Sequence, residues 1–139
     1  MAVYTTNLGL STPGHTKMVD ITRLVGDGLA RSQFRKGLLA LYVPGSTGRL
    51  MTLEYEPRLV GDLRETLKRL VPGDRACHHN RAWGDRNGHN RLRASLAGPS
   101  LSVSFRRGRL ILGTWQQIAL VDLDNRPRSR VLTVQVMGE

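Results

Sequence analysis

The sequence predicts an α+β domain built largely of antiparallel strands with about three helices, and three observations predict it. Apolar residues in the closing third recur at a period of two between turn residues. Two upstream segments switch instead to helical spacing. Apolar side chains make up 40% of 139 residues and recur throughout, enough for one core and hence one domain over residues 1–139.

Taken in order, residues 2 to 10 alternate loosely through Val3, Thr5, Leu8 and Leu10 and end in Ser-Thr-Pro-Gly, which predicts an opening strand. A helix over about 21–32 follows from Ile21, Leu24, Val25 and Leu29 behind Asp20 as N-cap, although Gly26 and Gly28 weaken it. LLALYV, 38–43, is a continuous apolar run of strand length. With GRLMTLEY beyond a turn at Pro44 and Gly45 it reads as a buried hairpin. PRLVGDLRETLKRLV gives the clearest helix: Leu59, Val60, Leu63, Leu67, Leu70 and Val71 form one stripe, Pro57 opens it, and Pro72 and Gly73 end it. A polar run carries on to a short helix from His89 to Leu96, stopped by Gly98 and Pro99. SLSVSF, RLILGTWQQIALVDLD and SRVLTVQV then read as strands, joined at Arg107-Gly108 and at DNRPR, 124–128. Gly113 marks a bulge or a tight turn within the long one.

The net charge is +10, and nearly all of the positive charge is arginine. Guanidinium suits bidentate contact with phosphate or carboxylate, so anionic partners are expected, nucleic acid among them. The arginines are spread along the chain, however, and aromatic residues are only 5%, which leaves few platforms for stacked bases. No stretch approaches the run of apolar residues that a spanning helix needs, and the first residues lack a basic and then apolar leader. A cytoplasmic protein without membrane partners is the expectation. Cys77 has no second cysteine to pair with and reads as a small packed residue.

Candidate chemistry concentrates in HHNRAWGDRNGHNR, 78–91, which holds three of the four histidines. His79 and His89, with a carboxylate such as Asp85 or Asp62, are the right material for a divalent metal, zinc or Mg²⁺. Their spacing matches no metal motif, and exposed loop histidines are the plainer alternative. Glu54 and Asp62 flank the start of the strong helix, where the helix dipole stabilises a carboxylate without any catalytic role. Trp115 and Gln116 interrupt an apolar strand. The tryptophan reads first as core, and otherwise as one wall of a pocket with the amide beside it. GSTG, 45–48, lacks the lysine and length of a P-loop, but Ser46 and Thr47 can offer hydroxyls to a small anion.

DRNGHNRLRASLAGPSLSV followed by GRLILGTWQQIALVDLDNRPRSRVLTVQVMGE resembles the YjbQ-like family, often called secondary thiamine-phosphate synthase proteins. The resemblance extends upstream through DIT, LYVPGST, LEYEP, Asp62 and VPGD, and so covers nearly the whole chain. It implies a trimer-forming α+β domain, polar pockets near subunit boundaries, and weak activity that joins a pyrimidine pyrophosphate to a thiazole phosphate. At the positions that match, it implies His79, Asp62 and Glu54 as catalytic residues, with Asn80, Asn87, Trp115 and Gln116 around a phosphorylated ligand; this chain's Ser46 and Thr47, Arg91, and Arg49 or Arg93 are the groups available for the phosphate. His79 and His89 are the implied metal ligands. Two positions depart from the family pattern. Gly45 stands where the family has histidine, in a His-Thr-Thr-Ala string, and Arg91 replaces a second histidine. Losing two imidazoles removes cation ligands, and Arg91 adds charge that repels a cation and attracts an anion. A binding protein for a phosphorylated metabolite or RNA, without catalysis, is the alternative that these departures support.

Overall fold

The computed structural model describes residues 1–73 and 87–139. Eight strands and three helices are found among them: β1 (Ala2–Thr12), β2 (Lys17–Asp20), α1 (Thr22–Ser32), β3 (Lys36–Tyr42), β4 (Gly48–Leu53), α2 (Pro57–Leu70), α3 (Gly88–Ala94), β5 (Ser100–Arg106), β6 (Arg109–Leu110), β7 (Gln117–Asp122) and β8 (Arg128–Gly138). Every strand pair is antiparallel. One sheet has the order β1-β8-β3-β5-β6 and the other β2-β7-β4, so the α+β expectation holds.

The period of two decides which side of the larger sheet is buried. Leu39 and Leu41 of β3, Val103 and Phe105 of β5, and Leu132, Val134 and Val136 of β8 point inward with Leu8 of β1. Their neighbours Leu38, Tyr42, Ser102, Ser104 and Val131 face out. The smaller sheet is covered on both faces. Ile118 and Leu120 of β7 join the main cluster together with Val25 and Leu29 of α1, while Val121 and Leu123 meet Met18, Leu67 of α2 and Ala94 of α3. β7 therefore runs as an unbroken buried strand, where an alanine at Leu120 would remove about 2–5 kcal/mol.

Helix starts follow local chemistry. The Asp20 carboxylate accepts the Thr22 backbone N–H at 3.0 Å and its hydroxyl at 2.7 Å, and Thr22 Oγ1 accepts the Ile118 N–H at 2.9 Å, tying α1 to β7. Glu56 caps α2 by accepting the N–H groups of Arg58 and Leu59, with Pro57 at the first helical position.

Two expectations are corrected, the β3–β4 hairpin and a core Trp115. LLALYV and GRLMTLEY are not hairpin partners: β3 lies in the larger sheet between β8 and β5, whereas β4 pairs with β7 in the smaller one. Both runs are apolar and a turn separates them, but the chain changes sheets at that turn. The long run 109–124 is divided by a tight turn at Gly113, the second of the two expectations for that glycine: the Gln116 N–H donates to the Gly113 carbonyl at 3.0 Å. Trp115 sits in that turn with 72% of its surface exposed, and so is not core. Lys17–Asp20, too short for a visible period, forms β2.

Candidate functional site

A polar network runs through the end of the molecule where β7 finishes and β8 begins. In VDLD the alternate positions Asp122 and Asp124 are fully buried, and each is matched by an arginine. Arg130 holds Asp122 through two bonds of 2.9 Å, from Nε to Oδ2 and from Nη2 to Oδ1. The Thr12 hydroxyl also donates to Asp122 Oδ2, and the Asp124 N–H donates to Oδ1 at 3.1 Å. Arg128 Nε donates to Asp124 Oδ2 at 2.9 Å. Burial pushes both carboxyls up, but the arginine and threonine hydrogen bonds outweigh it and hold both below the ordinary aspartate value.

Thr47 links the two pairs: its hydroxyl donates to Asp124 at 3.0 Å and accepts from Arg130 Nη2 at 2.8 Å. From Asp124 the network continues to Asn87 Nδ2 at 3.4 Å. Asn90 Nδ2 then donates to Asn87 Oδ1 at 2.7 Å, and Arg93 Nη1 donates to Asn90 Oδ1 at 3.4 Å. Arg93 Nε ends it on the Val71 carbonyl at 2.9 Å. Residues on both sides of 74–86 are thus anchored to one buried frame. His78, His79, Asn80, Asp85 and Cys77 lie outside the described residues.

The loop 44–48 is shaped around Arg130. Gly45 has φ +107°, a conformation that L side chains rarely adopt, and a Cβ there would lie 3.2 Å from Arg130 Nη1. At Gly48 a Cβ would meet Val43 at 3.1 Å and Arg130 Cζ at 3.2 Å. The two glycines therefore make room for this guanidinium. Arg49 is likewise committed to the fold, donating to the carbonyls of Ala94, Gly45 and Gly48. Neither Arg49 nor the buried Arg93 is a spare phosphate contact.

The remaining candidates fall into two groups. Ser46, Thr47, Asn87 and Asp124 gather at the Asp122 end of β7, with Ser46 exposed and Thr47 buried. His89 begins α3 near Gly73, where a Cβ would stand 3.7 Å from its Nε2. Burial, and then the charge on Arg93, lowers the His89 pKa, so the imidazole is largely uncharged at neutral pH. Arg91 is half-buried on the same helix.

Glu54, Trp115 and Gln116 gather at the opposite end of β7, where Leu53 pairs with Gln117. That end lies about 17 Å from the first, at roughly 3.4 Å per residue. Gln116 Oε1 accepts the Gly113 N–H at 3.0 Å, and Gln117 Oε1 accepts the Tyr55 N–H at 2.8 Å. Asp62 is exposed in the first half of α2, about 12 Å along the helix from its last residue, Leu70, and Gly73 beside His89 lies three residues further on. Within one chain Glu54 and Asp62 do not converge with His89. Among the described residues no three His, Cys, Asp or Glu side chains come close enough to hold a metal ion, so these residues do not by themselves fit the zinc or Mg²⁺ site.

Asp122, Asp124, Arg128 and Arg130 were not among the expected site residues. The available signal was two carboxylates two apart in an otherwise apolar strand, followed by two arginines with the same spacing. Such residues share a face, and buried charges require partners. No helix among the described residues is long and apolar enough to cross a membrane.

Comparison with known proteins agrees with this fold. Residues 6–139 match the model of the family described as UPF0047 protein YjbQ-like. A UPF0047 protein of Methanothermobacter thermautotrophicus is 38% identical over 139 residues, covering 100% of this chain and 95% of its own. One from Archaeoglobus fulgidus is 35% identical, covering 94% and 98%. The crystal structure of a YbjQ-like protein of unknown function from Sulfolobus solfataricus P2 superposes with a TM-score of 0.93 at 33% identity, covering 99% of each chain. A hypothetical protein from Aeropyrum pernix K1 gives 0.90 at 32%, covering 98% of this chain and 99% of that one.

Proposed function

The chain belongs to the YjbQ-like UPF0047 family, and from that premise we propose that it acts as a homotrimer on a phosphorylated small molecule, each site shared by two subunits. The supporting observation is the separation of the candidate residues to opposite ends of β7, each end partly exposed and one bearing the exposed Trp115. A ring with head-to-tail contacts sets the Glu54–Trp115 end of one subunit against the Thr47–His89 end of the next. The split groups then meet one ligand.

In that site His79 is the general acid/base, oriented by Glu54 and Asp62. Arg91, Asn80 and Ser46 hold the phosphate, on a loop and helix start that the buried Thr47 and Asn87 position, with Trp115 and Gln116 against the heterocycle. The reaction class is that of thiamine-phosphate synthesis. The thiazole nitrogen bonds to the pyrimidine methylene carbon as the carbon–oxygen bond to pyrophosphate breaks, and the electron pair leaves with pyrophosphate. Subunit mixing tests the shared site. A Glu54→Gln/Asp62→Asn chain and a His79→Ala/His89→Ala chain are each inactive alone. Unfolded and refolded together in equal amounts, they regain about a quarter of wild-type product formation, since one contact in four pairs two intact halves. No recovery from confirmed mixed trimers, or a monomer in sedimentation, refutes the shared site.

A binding role without turnover is the second reading, favoured by Gly45, which brings no imidazole to its loop, and by the cationic Arg91 on α3. It predicts that pyrophosphate and phosphorylated heterocycles raise Tm while no product forms, and that a thiamine-requiring strain is not rescued.

A further inference from the structure

We propose that the cleft between the end of α1 and the β5–β6 turn binds the phosphodiester backbone of a single-stranded nucleic acid. The cleft has a volume of about 780 Å³ and is lined by Arg35, Arg106, Arg107 and Arg109, with Gln33 and Phe34 among its other walls. No acidic side chain lines it, and none of the four arginines joins an ion pair among the described residues. At the same sheet edge the Glu139 carboxylate is taken by Lys36 at 2.9 Å.

Strand register makes the concentration of charge unusual. Lys36 of β3 is paired with Arg106 of β5, and Arg106 with Arg109 of β6. Like charges directly opposite on neighbouring strands are destabilising; Glu139 offsets this for Lys36, but Arg106 and Arg109 stand opposite each other with no carboxylate beside them. The turn adds a fourth, Arg107, at φ 56°, and Arg35 leans over it with Nη1 3.3 Å from where a Cβ on Gly108 would be. Four guanidiniums around one trough are more than a single phosphate group engages, so the matching ligand carries phosphates in series. The trough is open and mostly polar, and half-buried Phe34 offers one apolar edge to a base. Repulsion among the arginines is relieved when that backbone lies along them.

The test is fluorescence anisotropy of the full chain with a labelled 15-nucleotide oligouridylate, titrated at several salt concentrations. Four phosphate contacts on a single strand give a log–log slope near −3, which is about a 50-fold loss of affinity between 50 and 200 mM salt. Arg35→Gln/Arg106→Gln/Arg107→Gln/Arg109→Gln is expected to weaken binding by at least about that factor at 50 mM salt and to flatten the slope by about 3. The charge-matched control Arg23→Gln/Arg64→Gln/Arg69→Gln/Arg126→Gln, exposed positions elsewhere, should change affinity less than about fivefold. The oligonucleotide should raise the Tm of the wild type and of the control but not of the cleft variant, which also shows that the variant folds. Equal losses in the two variants would mean general attraction to a basic protein and would overturn the proposal. So would undiminished binding in the cleft variant, or binding of pyrophosphate at this cleft with no affinity for the oligonucleotide.

Discussion

Two arginine-rich regions of this molecule meet opposite electrostatic fates. At the end of β7, Arg128 and Arg130 are drawn against two buried aspartates, and the four formal charges cancel. At the β5–β6 turn, Arg106 and Arg109 face each other with no carboxylate between them. The first set is spent on holding loops in place, whereas the second is left for something outside the chain. Overall charge therefore says little about ligands until each cation is assigned to a partner.

Removing a partner from the buried set should have the largest effect. Asp122→Ala strands Arg130 beside Asp124 alone and should reduce stability by about 3–5 kcal/mol in urea unfolding. Replacing Asp122 and Arg130 together by Asn and Met should be milder than that single change. A double variant as unstable as Asp122→Ala would show that the pairing is not the source of the loss. Thr47→Val comes next, at about 1–3 kcal/mol, because both Asp124 and Arg130 lose a hydrogen bond in a buried site.

Acid titration probes the same set. Asp122 and Asp124 have folded pKa values lowered beneath those of the unfolded chain, so their contribution is complete above about pH 4. It is lost as pH falls through the lower folded values. Unfolding free energy should hold from neutral pH to about pH 5 and decline below about 4, less steeply in Asp122→Asn. The smallest change belongs to the other region and has the opposite sign. Arg109→Gln removes half of a like-charged cross-strand pair and should stabilise by about 0.2–1 kcal/mol, and less as salt is added. A destabilised Arg109→Gln would erase the contrast between the two regions.

Most elements were legible because their signals are local. The alternation in SLSVSF and SRVLTVQV, and the stripe and Pro57 start of α2, decide their own structure. Partner choice was not legible, since LLALYV and GRLMTLEY carry equally apolar faces and nothing in either names its sheet. Trp115 misled because its neighbours Ile111, Leu112 and Ile118 are apolar, although the Gly113–Gln116 turn lifts it clear of them. Of the candidate site, His89 and Thr47 were legible from their residue types, and Asn87 by resemblance. The aspartates and arginines that fix Thr47 and Asn87 pair across eight residues or fewer yet carry no motif, and their meaning depended on learning that β7 is buried on both faces.

Arg130 also constrains what this chain can become. A histidine at position 45 would need a backbone conformation hostile to its Cβ, which would crowd Arg130 Nη1 at 3.2 Å. Displacing that guanidinium would release the charge on Asp122 in the interior. An imidazole at position 45 is thus costly as a single step: an engineer would have to rebuild the loop and its electrostatic support in concert.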